Sequence, residues 1–70
     1  MKNEYANILK YAMQMEQEGA AFFRYNAERF QDPTTKDLFL KLAKVEESHY
    51  EYIKGRLDKY EQGEVVTDIE

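Results

Sequence analysis

The chain has no cysteine, which excludes disulfides and thiolate metal sites together. At 70 residues it is one domain at most, of a size that often needs a metal or self-association for support. With thiols absent, oxygen and nitrogen ligands or a second copy are the supports left. Proline occurs once, at Pro33, and glycine three times, so regular structure is interrupted at few places. Basic residues are too few to balance the acidic ones. The net charge of −4 argues against nucleic acid and against anionic membrane surfaces as partners. No apolar run approaches the roughly 20 residues that span a bilayer. The opening Met1-Lys2-Asn3-Glu4-Tyr5 leads into alternating polar and apolar residues and not into a signal-peptide core. A soluble cytoplasmic protein is the default expectation.

What is present is helical periodicity. From about Asn3 to Phe30, apolar or small residues recur at Tyr5, Leu9, Ala12, Gly19, Phe23, Ala27 and Phe30. Glu16 is the one acidic member of this stripe, and its neighbours Ala12 and Gly19 leave space beside it. A second strip of Tyr11, Met15, Phe22 and Tyr25 lies on an adjacent face. One hairpin cannot cover both strips, so a partner is expected. The break is Gln31-Asp32-Pro33-Thr34, with Asp32 suited to an N-cap and Pro33 to the first helical position. A loop of about two to four residues forces an antiparallel hairpin. The second helix is expected over about 33–61, with Phe39, Leu42, Glu46, His49, Ile53, Leu57 and Tyr60 facing inward. A short tail follows over 62–70, in which Val65-Val66 could pack or lead into further sequence. Gly55 is mildly unfavourable in mid-helix, with no account from the sequence.

Glu46 and His49, the sole histidine, are three residues apart on one helical face. Measured from the turn, Glu16 lies about 24 Å before Asp32, Glu46 about 21 Å after it and His49 about 25 Å after it. Phase and depth together put Glu16 level with the gap between the other two. A buried unpaired carboxylate is costly, and a metal ion removes that cost. Two-metal carboxylate sites in helical bundles use a Glu from each of two helices and a Glu-x-x-His from each of the other two. One hairpin supplies half of that set, and two copies would supply four Glu and two His. Such ligation suits iron or manganese and does not exclude zinc. The bland readings are a chance Glu-x-x-His, a hydrogen-bonded core histidine, and a surface Glu16 if the phase is one residue off. Glu18 competes with Glu16 but shares the Tyr11 face, where it is solvated or interfacial. Glu47 lies one residue off the stripe. Met13 and Met15 read as packing residues.

The run from Ala12 to Phe23, with Glu16, then Gly19, Phe23 and Ala27, resembles the first helix of the rubrerythrin branch of the ferritin-like superfamily. Leu42-Ala43-Lys44-Val45-Glu46-Glu47-Ser48-His49 resembles its second. The resemblance covers roughly residues 5–60. It implies that Glu16, Glu46 and His49 are iron ligands and catalytic residues, with two iron ions per dimer. The chain departs from the family in three ways: Phe23 stands where that branch often has Tyr, only two of four helices are present, and there is no Cys-x-x-Cys. The half-length architecture is similar to that of the encapsulated ferritins. This similarity implies an all-α hairpin that forms a homodimer or higher homo-oligomer with a ferritin-like four-helix bundle. It also implies ferroxidase or peroxidase chemistry on Fe²⁺ and an encapsulin shell as partner and compartment. A fragment of a longer four-helix protein is the alternative architecture. A non-catalytic helical oligomerisation module and a purely structural metal site are the alternative functions.

Overall fold

The computed structural model describes residues 2–63, with side chains from residue 4. Two helices make up the fold: α1, Lys2–Ala27, and α2, Pro33–Glu61, packed as an antiparallel hairpin. The expected all-α hairpin is what the chain forms. Of the expected tail only Gln62 and Gly63 fall among the described residues, so Val65-Val66 lies outside them. Gly63 stops α2 with a φ of +87°, a conformation that glycine adopts without penalty.

The turn follows from local chemistry. The Asp32 carboxylate accepts hydrogen bonds from the Thr35 backbone N–H at 2.9 Å and the Thr35 hydroxyl at 2.8 Å. These bonds satisfy an orphan donor of the first turn and hold the Asp32 carboxyl below its ordinary range. Pro33 then starts α2 where its missing N–H costs nothing. α1 stops at Ala27 instead of continuing to Phe30. Its last turn tightens, with Arg29 N–H donating to Asn26 O and Phe30 N–H to Ala27 O. Phe30 leaves the helix and stacks on Phe39 of α2, ring centroids 5.2 Å apart. A tertiary ring contact thus competes successfully with three more residues of helix.

The core is the seam between the helices. Ala20, Ala27, Ala43 and Leu57 are its buried members, three of them alanine, which lets the backbones come close. Aromatic contacts close both ends. Phe23 and Phe30 flank Phe39 near the turn, and Tyr5 meets Tyr60 edge-on at 4.5 Å at the open end. The carboxylate-bearing stretch lies between these clamps.

The hairpin is one layer thick, 47 × 19 × 15 Å, and leaves a broad apolar side uncovered. Ile8, Met15 and Phe22 recur at seven-residue spacing on α1, as do Leu38, Val45 and Tyr52 on α2, and all six are exposed. Antiparallel helices are related by an approximate twofold perpendicular to their common plane. Residues that precede a seam position in both helices therefore fall on the same side. Met15 precedes Glu16 and Val45 precedes Glu46, so both heptad strips share one side of the hairpin. Among the described residues no helix is long and apolar enough to cross a membrane.

Leu57 is 6% exposed and contributes the largest buried side chain of the seam. Leu57→Ala is expected to cost about 2–3 kcal/mol, read as a lower urea midpoint at fixed protein concentration.

Candidate metal centre

Glu16, Glu46 and His49 come together as depth and phase require, offering ligand atoms that lie within 4.8 Å of one another. His49 Nδ1 is 3.4 Å from Glu16 Oε1 and 3.9 Å from Glu46 Oε1. The helices place them. Regular rise from the Asp32 cap sets their level, and the alanine seam sets the separation. The three are not equally buried. The Glu16 and Glu46 side chains are 22% and 29% exposed, whereas His49 is 57% exposed. His49 was expected to face inward with the rest of its stripe. It lies instead at the stripe's edge, rotated toward the side that carries Val45 and Tyr52.

The carboxylates are set against each other. Hydrogen bonding to Glu16 is the main cause that raises the Glu46 pKa, with desolvation and the Glu16 charge acting in the same direction and His49 opposing them. A proton or a cation between them would relieve the pair, and Glu16 Oε1 is buried with no hydrogen-bond partner. Gly19 eases the arrangement, because a Cβ there would sit 3.3 Å from Glu46 Cδ and the carboxylate would have to give way slightly. Two carboxylates, an imidazole, an orphaned buried oxygen and a cradle with no side chain fit a divalent cation of the iron, manganese or zinc class.

On the side away from the apolar strips the seam opens into a groove that reaches Glu16. Its wall includes Arg24 and Glu47, which form an ion pair across the two helices at 2.6 Å. Both side chains are nearly half exposed, so the pair is worth about 0–1 kcal/mol, and its main effect is to fix register beside the site. Glu47 was placed one residue off the inward stripe, and this is the contact it makes. Arg24 gave no periodic signal. Its charge beside an apolar stripe was the available hint. Glu18 is exposed and accepts a hydrogen bond from Gln14 Nε2 at 3.0 Å, away from the cluster. Gly55 faces open space, and nothing in the structure requires glycine there.

Residues 7–70 match the family model described as Rubrerythrin. The chain belongs to the rubrerythrin family. Membership points to a diiron-type metal-binding protein, and Glu16, Glu46 and His49 form a group that could hold a metal ion. No curated protein and no solved structure matches the chain.

Two predictions follow from the crowding. Gly19→Ala gains up to about 1 kcal/mol of helix propensity, while its Cβ displaces the Glu46 carboxylate. Metal affinity should fall about 10-fold or more without loss of thermal stability, measured by calorimetric titration and melting. The second concerns pH. Glu46 binds its proton more tightly folded than unfolded, so the folded state holds more protons and metal-free stability falls as pH rises through the raised pKa. Melting temperature of the metal-free protein should decline as pH climbs above the ordinary glutamate value of 4.5. Glu46→Gln should flatten that decline.

Proposed function

We propose that this chain is half of a diiron oxidation centre, completed when a second copy covers its apolar side. The observation that carries the reading is the paired Glu16 and Glu46 carboxylates with an orphaned oxygen, beside a histidine at the edge of an uncovered apolar face. Two copies contribute four carboxylates, whose charge balances two Fe²⁺ ions. Two iron ions per homodimer, with Glu16, Glu46 and His49 of each chain as ligands and catalytic residues, is therefore the stoichiometry that the donor set favours.

A bound diiron pair supplies electrons to O₂ or peroxide, and in the ferroxidase version Fe²⁺ is itself the substrate. The chain's residues do the rest. Glu46 must be ionised to become a ligand, and its raised pKa makes binding favour higher pH. Glu16 contributes the buried oxygen that no protein donor satisfies. His49 offers a ring nitrogen, and its exposure lets it address a site shared between chains. Tyr11, Phe22 and Tyr52 are among the exposed rings that a second copy would bury, excluding water from that side. The setting proposed for this chemistry is the cytoplasm, with an encapsulin shell as partner on the strength of the resemblance to encapsulated ferritins.

Stopped-flow oxidation of Fe²⁺ with O₂ and with peroxide tests the reading. Wild type should turn over with at least one oxidant, and Glu16→Ala and His49→Ala should each lose at least about 100-fold. Sedimentation should show metal-promoted dimers. Metal-dependent dimers without turnover would make the site purely structural. No metal uptake and no effect of Fe²⁺ on melting or association would leave a helical oligomerisation module.

A further inference from the structure

The hairpin has two unlike sides, and the polar one carries a groove that reaches Glu16. Met15 and Val45 precede the two carboxylate positions and lie on the apolar side. Gln17 and Glu47 follow those positions, and by the same symmetry they lie together on the opposite side. There the groove runs in from solvent to Glu16, floored by the small side chains of Ala20 and Ala21. Gln17, Arg24, Glu47, Tyr50 and Glu51 form its walls. Arg24 and Glu47 neutralise each other across it. Glu51 is exposed and is not engaged by any ion pair or hydrogen bond among the described residues, so its charge is the uncompensated one at the mouth.

We infer that this groove is the route by which a hydrated divalent cation reaches Glu16, with Glu51 as its charged mouth and Ala21 as the small residue that keeps it open. The inference rests on the reading above, in which Glu16, Glu46 and His49 hold metal and a second copy covers the apolar side. Once that side is covered, the groove remains open to solvent with Glu16 in its lining. A cation arriving through it passes from one negative charge, Glu51, to a deeper pair. Such a gradient speeds capture at low ionic strength and is screened by salt. A neutral oxidant could use the same space but would not respond to the charge.

Stopped-flow binding of Co²⁺, followed by its visible absorbance with no oxidant present, tests the route. Glu51→Lys should lower the association rate about 10-fold at low salt and abolish its salt dependence. Glu61→Lys makes the same charge change about 15 Å further along α2 and should leave the rate within twofold of wild type. Ala21→Phe should slow association and dissociation together and leave the dissociation constant unchanged, as a plug does and a damaged site does not. Both variants are on exposed helix surface, and melting checks that they fold. If wild type binds Co²⁺ and Glu51→Lys and Ala21→Phe behave like Glu61→Lys, the route is overturned and the metal centre stands. If wild type binds no Co²⁺, the metal centre itself fails and the route falls with it.

Discussion

Two carboxylates held face to face across a helix seam are the constraint on which this structure turns. Glu16 and Glu46 belong to different helices, so in principle they could separate. They do not, because the seam is fixed on both sides of them. Phe23, Phe30 and Phe39 hold the turn end and Tyr5 with Tyr60 holds the other. Close packing over Ala20, Ala27 and Ala43 leaves no slack for the backbones to part. Gly19 adds the one gap into which Glu46 fits. The pair is then relieved only by a proton or a cation, and the raised Glu46 pKa records the first of these choices. Rubrerythrin-family membership supplies the reason for the second.

The same geometry separates the work of the two sides. A single layer of two helices cannot bury a core as a three-dimensional domain does, and the apolar side left over is long and regular. Seven-residue spacing on both helices is the pattern by which helices seat against further helices. The other side is polar and holds the Arg24 and Glu47 bridge, which adds little stability and much definition of register. On the proposed reading, the apolar side is covered by a second copy and excludes water, while the polar side stays wet and lets solutes pass.

Much of this was readable from the residues, and the parts that were not share a cause. The Asp32-Pro33 turn was legible because capping is local: an aspartate, a proline and a threonine three residues on are sufficient. The meeting of Glu16 with Glu46 was legible because helical rise is constant, so distance from the turn sets depth. The end of α1 was not, since Phe30 leaves the helix for a ring nine residues away in α2. His49 was misjudged for a related reason. A residue at the edge of a stripe is buried or exposed according to what its neighbouring helix places opposite, which the pattern of one helix does not carry. Arg24 and Glu47 lie 23 residues apart on flanks that look merely solvated in each helix separately. Extending the depth count from Glu16 and Glu46 to the residues that follow them would have found the groove, because Gln17 and Glu47 sit on the same side for the same geometric reason.

The exposure of His49 then becomes informative. A metal site complete within one chain would enclose its imidazole, because a solvated histidine loses affinity to water and to protons. Here the carboxylates are mostly buried and the imidazole is mostly exposed. It stands on the edge shared by the seam and the apolar side. Covering that side with a second copy would enclose the histidine and the exposed rings in one step, so that association and ligand enclosure are the same event. On the proposed reading, the surface that one hairpin cannot bury alone is the surface that finishes its site.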